Sequence, residues 1–417
     1  MADAPEPKSI KQNMLWNSAG SLVNLGCQWL ISVLIVRLST GYDSAGIYSL
    51  AISTYNIFGS IAQYRMYTYQ VSDVKNENTT GEYLTLRIIT STLALMLCTV
   101  YGILTCSRAA WAAIFLYGVY KTATLAIDVF HACDQRYHRM DFIGISLALQ
   151  GSLSLAAFVV VFFMSQSVEL SLLLMTCVVA FVGVAFDLKQ TSKFGTIHLG
   201  ISKEKTIHLL GSCFPIVLAG IAASATTSLP RQALANIMGT ATLGAYASVA
   251  APVAIIQMGA AYIYNPLLGY FSELYAERNI NGFKSLLAKA LGGLAVIGLI
   301  CTLGLTLLGK WLLVLVFGGS IAEFTYLLTP LVLFAIITGV QWFMNDLLIA
   351  LRAFKSTFIS SVASLAVVLL FESPFIEAAG PNGVTLVGIV SCIVGLIIMG
   401  AKLVALLKGA EQATNLH

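Results

Sequence analysis

The chain has 417 residues, of which 58% are hydrophobic and only 10% charged, with a formal net charge of +4. A soluble domain carries roughly 25% charged residues, so this composition excludes a water-covered globule and leaves a polytopic membrane protein. The small cationic excess does not indicate nucleic acid, because it follows the loops that flank apolar segments.

Residues 1–14 contain Asp3, Glu6, Pro5, Pro7, Lys8 and Lys11. They lack the basic, then apolar, then small-residue layout of a cleaved secretory signal, and read as a cytoplasmic tail. Twelve apolar runs follow, each close to the roughly 20 residues that cross a hydrocarbon core. They cover 15–36, 46–68, 84–105, 110–132, 142–164, 168–186, 207–229, 243–265, 286–308, 325–348, 356–377 and 383–405. With the N-terminus inside, 17 of the 23 Lys and Arg residues, Lys75 and Arg87 among them, fall in or beside inner loops. Only Arg37, Arg108 and Lys310 fall outside, while Arg65, Lys121 and Arg231 lie within or near the ends of spans. This skew predicts a multi-pass inner-membrane protein with both termini in the cytoplasm. The sequon at Asn78 then lies on an inner loop and stays unglycosylated. The eight cysteines show no paired spacing and read as small buried hydrophobes rather than a disulfide or metal framework.

The sequence repeats itself. Gly41-x4-Gly46-x-Tyr48 at the second span matches Gly239-x4-Gly244-x-Tyr246 at the eighth. Arg136-x2-Arg139-x2-Phe142-Ile143 at the fifth matches Arg352-x2-Lys355-x2-Phe358-Ile359 at the eleventh. The expected fold is all-α, with twelve transmembrane helices in two pseudo-symmetric six-helix bundles, 15–188 and 207–405. A basic cytoplasmic linker, 189–206, joins them, and residues 406–417 form a C-terminal tail. Parallel repeats of this kind are a transporter layout.

Polar residues within the spans fall on shared faces. In the first span these are Asn13, Asn17, Gly20, Asn24 and Gln28; in the second, Asn56, Gly59, Ser60, Gln63, Tyr67 and Gln70. Tyr117, Lys121, Thr124, Asp128 and His131 share a face about 80° wide on the fourth. The tenth adds Thr338, Gln341, Trp342, Asn345 and Asp346. The uncharged faces serve either as helix–helix glue or as a cavity wall. Lys121 and Asp128 favour a cavity, since an ion pair is costly glue. His131 is either a hydrogen-bonded spacer or a proton carrier. Arg65 points away from its neighbours on an ideal helix, so it snorkels or the helix is irregular there. Arg231, after Pro230, fits an interface anchor equally well. Pro215, Pro230, Pro252 and Pro266 concentrate in the seventh and eighth spans, where bent helices are candidate gates. No phosphate loop, nucleophile elbow or metal-spaced Cys/His set is present, so no catalytic residue, cofactor or metal is expected.

Asn17-Ser18-Ala19-Gly20, Ala45 to Ala51, Asp134-Gln135-Arg136 to Asp141, Ser228-Leu229-Pro230-Arg231 and Leu243 to Ala247 resemble the Wzx-type polysaccharide flippases. These are transporters of the multidrug/oligosaccharidyl-lipid/polysaccharide (MOP) superfamily, with a MATE-like fold. The resemblance implies a non-enzymatic monomer in contact with membrane lipids. Its cargo would be an undecaprenyl-pyrophosphate-linked oligosaccharide of the O-antigen, capsule or teichoic-acid type. On that reading Lys121, Arg65 and Arg231 serve the anionic headgroup. Asn17, Asn24, Gln28, Asn56, Gln63 and Tyr117 serve the glycan, and Asp128 and His131 act as counter-charge or as the site of H+ or Na+ coupling. An ion-coupled multidrug or metabolite antiporter of the same superfamily is the alternative. A membrane-embedded glycosyl- or acyltransferase would need carboxylates or histidines clustered at one interface, and the sequence shows none.

Overall fold

The computed structural model describes residues 6–73, 77–264 and 267–414. Lys75 and Pro266 lie outside the described residues, as do the two extreme termini. All regular structure among the described residues is helical. Ten helices there are long and apolar enough to cross a bilayer. Two more, α2 (Asp43–Gln63) and α10 (Thr240–Tyr264), stand at the second and eighth predicted spans. The helix α2 is rich in Ser, Thr and Tyr and buries most of its length, so it needs no lipid-facing apolar coat.

Compactness divides the chain into unit 1, Met1–Ser224, and unit 2, Ala225–His417. The division falls inside α9 (Lys203–Met238), which runs unbroken through Pro215 and Pro230. Non-helical linker is confined to 195–202, because the helix of the sixth span continues through a π-helical turn, Gly183–Leu188, and α8 (Lys189–Thr191) into the 3-10 turn Ser192–Phe194. The C-terminal helix α15 (Asn382–Thr414) likewise runs well past residue 405.

Unit 1 contains α1 (Ile10–Leu38), α2, α3 (Met66–Ser72), α4 (Thr80–Thr105), α5 (Arg108–Arg136), α6 (Met140–Ser165) and α7 (Val168–Val182). Side-chain caps set where they begin. Ser9 with Gln12 and Thr79 with Glu82 form reciprocal capping boxes on α1 and α4, satisfying amides that have no partner inside the helix. Helix α5 packs against α2, α4 and α7, while α6 packs on α7 and α1. Unit 2 repeats this pattern. Its α13 (Leu328–Ala350) packs against α10, α12 (Ile280–Phe317) and α15, and α14 (Phe354–Ala379) packs on α15.

The repeat extends to the turns. After α5, Tyr137, His138 and Arg139 amides donate to Cys133, Gln135 and Asp134 carbonyls; after α13, Leu351, Arg352 and Ala353 donate to Leu347, Ile349 and Leu348. His138 (φ 55°) and Arg352 (φ 59°) both take the left-handed conformation that closes such helix ends. His138 therefore corresponds to Arg352. The sequence match had aligned Arg136 with Arg352, two residues out of register, because the basic residues recur near the turn without sharing its positions.

Helix α2 stops at Gln63, where Tyr64 and Arg65 have φ of 45° and 56°, before α3 resumes at Met66. Arg65 thus sits on an irregular stretch. Arg87, counted with the inner loops from sequence, lies inside α4 and is 1% exposed. Its Nη1 donates to the carbonyls of Ala62 (3.0 Å) and Gln63, the last acceptors of α2.

The loop after α3 is organised by Asp73. Its carboxylate accepts from the Glu77 and Asn78 amides at 3.0 and 3.1 Å and from the Tyr83 hydroxyl at 3.0 Å. Burial pushes this carboxyl up, but those three donors and nearby Arg136 outweigh it and hold Asp73 below its ordinary value. A depressed folded-state value stabilises the protein above the unfolded value of about 3.9 and is lost as pH falls through the folded one. Asp73→Asn is therefore expected to lower the melting temperature at neutral pH. The difference from wild type should vanish in strong acid, which a pH series of thermal melts in detergent checks.

Candidate functional site

The polar face of α5 packs within unit 1. Tyr117 is buried and meets Tyr48, Tyr55 and Tyr120 at ring-centroid distances of 6.0, 5.9 and 6.0 Å. Lys121 lies over two of these rings, with Nζ 5.6 Å from the Tyr117 centroid and 5.7 Å from that of Tyr120. Among the described residues no carboxylate lies within ion-pairing distance of it. A cation–π contact contributes about 0.5–2 kcal/mol, which positions the ammonium without neutralising it. From α1, Gln28 joins this face by donating from Nε2 to the Tyr120 hydroxyl at 2.8 Å.

Two turns further along α5, Asp128 is half-buried and makes no hydrogen bond among the described residues. The cations within its electrostatic reach are His131, Arg87 and Lys121. His131 is buried and donates from Nε2 to Asp187 Oδ1 at 3.1 Å. Asp187 Oδ2 accepts from Ser146 at 2.9 Å, and Gln150 donates to Ser146 at 2.9 Å. Asp134 Oδ1 accepts from Thr191 at 3.1 Å. His131 lies within electrostatic reach of both Asp134 and Asp187, so the three side chains form a cluster that the sequence did not reveal. It is buried, with Asp134 and Asp187 both 0% exposed.

The other predicted residues divide. Asn24 lies on the seam between α1 and α6, where Gly151 approaches its backbone. Asn13 accepts from the Met140 amide at 2.9 Å on the same seam. Asn17 is half-buried on α1, whereas Asn56, Gln63 and Arg65 are exposed. Arg231 belongs to unit 2, within electrostatic reach of Tyr246, whose hydroxyl pairs with Thr385 at 3.1 Å. A cavity of about 510 Å³ opens at the Arg136 end of unit 1, between Asn13, Val71, Gln135, His138 and Met140; none of the predicted site residues lines it. Among the described residues no group of three His, Cys, Asp or Glu side chains could hold a metal ion.

Arg87, Asp134 and Asp187 escaped the sequence reading. Arg87 and Asp187 stand at the ends of predicted spans, where charge is expected at the interface, and Asp134 sits in a run of charged turn residues. The available signal for Asp187 was its place within the apolar string Val184-Ala185-Phe186-Asp187-Leu188.

No family model matches the chain. Its sequence is 27% identical over 398 residues to the capsular polysaccharide biosynthesis protein CapF of Staphylococcus aureus, covering 93% of this chain and 97% of that protein. The lipid II flippase MurJ, in an inward closed conformation, superposes with a TM-score of 0.73 at 12% identity, covering 95% of this chain and 90% of that one. An inward-facing multidrug resistance MATE family transporter of the MOP superfamily gives a TM-score of 0.64 at 14% identity, with 93% and 96% covered. The fold is therefore the all-α, multi-pass membrane fold of MOP-superfamily proteins, and these solved neighbours are a flippase and a transporter rather than enzymes. The likeness to CapF runs along nearly the whole length of both chains.

Proposed function

We propose that the chain translocates an undecaprenyl-pyrophosphate-linked oligosaccharide from the cytoplasmic to the outer leaflet of the cell membrane by alternating access. It would act as a monomer with both termini in the cytoplasm. The observation that carries this reading is Lys121, an ammonium held within the membrane-spanning part of unit 1 on two tyrosine rings with no carboxylate partner. A cation kept in that state has its charge available for an anionic ligand, and a pyrophosphate supplies strong acceptors for charge-assisted hydrogen bonds. The surrounding tyrosines and Gln28 offer ring faces and amide or hydroxyl groups suited to sugars. The capsular polysaccharide role named for CapF points to the same cargo.

The test is polymer export in a strain that depends on this gene. Lys121→Ala should reduce export at least about tenfold per folded protein, equivalent to about 1.4 kcal/mol, beyond the small fall in melting temperature that loss of the cation–π contacts brings, and Lys121→Arg should recover part of it. Full export from Lys121→Ala would remove the headgroup assignment. A second reading, an ion-coupled multidrug antiporter, is favoured by Asp128, a carboxylate without a hydrogen bond among the described residues. It predicts export of cationic dyes that Asp128→Asn abolishes and Lys121→Ala leaves intact.

A further inference from the structure

We propose that the buried cluster of Asp134, His131 and Asp187 at the Arg136 end of unit 1 is a proton-binding site, with Asp134 Oδ2 the atom that takes the proton. Three of the four carboxylate oxygens have hydrogen-bond donors: His131 and Ser146 on Asp187, and Thr191 on Asp134. Asp134 Oδ2 is buried and has none. A charged oxygen cut off from water without a donor is strongly disfavoured. A proton there removes the charge and turns the orphan into a hydroxyl.

Charge counting leads to the same place. Two carboxylates and one imidazole carry at best a net charge of −1, so one further proton brings the cluster to neutrality. No neighbouring cation substitutes for it. On the α6 side, Asp141 takes both Arg139 contacts at 2.8 Å, with Lys8 at 3.9 Å. On α4, Arg87 is spent on the α2 carbonyls, and Lys121 stands on its tyrosines. From α3, Tyr67 faces Asp134 and Asp128 but donates its hydroxyl to Gln135 at 2.6 Å. From α2, Tyr55 faces Asp128. Beside Asp134, Cys133 accepts from Thr80 at 3.5 Å, and Arg136 donates to the Asp73 carbonyl at 2.8 Å.

Location gives the site a use. Asp187 lies on the π-helical turn, a distortion often found at functional positions, and its Ser146–Gln150 chain runs along α6. Losing the Asp134 proton to water restores repulsion between the two carboxylates, which sit on α5 and on the π-turn. The proton is thereby linked to the packing of α5, α6 and that turn. Such a link would drive transport only if the transporter reading holds; the protonation itself does not depend on it.

Infrared spectra of the purified full-length protein at neutral pH test the site directly. Glu372 Oε2 is also buried without a partner, so every protein carries Glu372→Gln. In that background a protonated-carboxyl stretch is expected, absent when Asp134→Asn is added and retained when Asp128→Asn is added. Adding Asp187→Asn instead should shift its titration to lower pH without touching Asp134, because the second carboxylate no longer opposes the charged form of the first. This variant keeps the test decisive if Asp134→Asn fails to fold. Absence of the band in the Glu372→Gln protein, its persistence with Asp134→Asn, an unmoved titration with Asp187→Asn, or its loss on adding sodium at constant pH would each overturn the proposal. The spectra involve no glycan, so they stand or fall apart from the proposed cargo.

Discussion

Gly144→Val is expected to abolish accumulation of monodisperse folded protein, judged by fluorescence-detected size exclusion. A β-carbon on Gly144 would lie 2.2 Å from the Trp16 carbonyl oxygen and 2.7 Å from its carbon, and one on Gly20 would lie 2.2 Å from the Gly144 carbonyl oxygen. Both obstacles are backbone, so no rotamer change relieves them and the helices must move apart. Overpacking a core costs about 1–3 kcal/mol when side chains can yield, and here they cannot. Within a bilayer, close packing itself holds helices together, because lipid tails are as apolar as the side chains they would replace. Separation would also break the Asn13 bond to the Met140 amide at 2.9 Å and withdraw Gln28 from Tyr120. Gly26→Ala, on the same α1 helix with nothing within 4 Å of the added carbon, serves as the control and should behave as wild type. Normal yield and elution of Gly144→Val would show that the two helices are not in this contact.

That seam also shows what the sequence could and could not disclose. Apolar runs of spanning length located the long helices, because burial in lipid leaves a compositional mark that no loop shares. The repeat was legible for the same reason, although its register slipped by two residues where basic side chains rather than helix boundaries were matched. Periodicity placed Asn13, Asn24 and Gln28 on one face of α1, but a face toward a neighbouring helix and a face toward a cavity have the same period. The structure separates them: Asn13 and Asn24 meet α6, and Gln28 reaches α5. Asp187 was hidden for another reason. It lies on a π-helical turn, where the advance per residue departs from 100°, so a helical wheel cannot aim it. Arg65 was legible in part: its misfit to an ideal helix left snorkelling or an irregular helix open, and the structure shows a break at Tyr64–Arg65.

Arg87→Met should lower the stability of the protein by about 3 kcal/mol, since hydrogen bonds to charged groups are worth roughly 1.5–3 kcal/mol each. The guanidinium is 1% exposed and caps the end of α2 through the Ala62 and Gln63 carbonyls, with Thr90 adding a hydroxyl bond to Ala62 at 3.1 Å. Helix termini leave carbonyls that need partners from elsewhere, and the break at Tyr64 and Arg65 denies these two the next turn of helix. Methionine fills much of the arginine volume and supplies no donor, so the loss isolates the hydrogen bonds and charge from packing. Part of the loss is offset, because Arg87 Nε has no partner of its own and removing it relieves that desolvation. The same substitution takes away one of the three cations within reach of Asp128, so export should fall further than the lowered amount of protein explains. Arg87→Lys keeps the charge but places a single ammonium where the guanidinium forks, and should melt between wild type and Arg87→Met. Thermal unfolding in detergent, with export normalised to folded protein, reads both effects. Wild-type melting of Arg87→Met would show that the α2 end is held by Thr90 and packing alone, and the break at Tyr64–Arg65 would then need no buried cation.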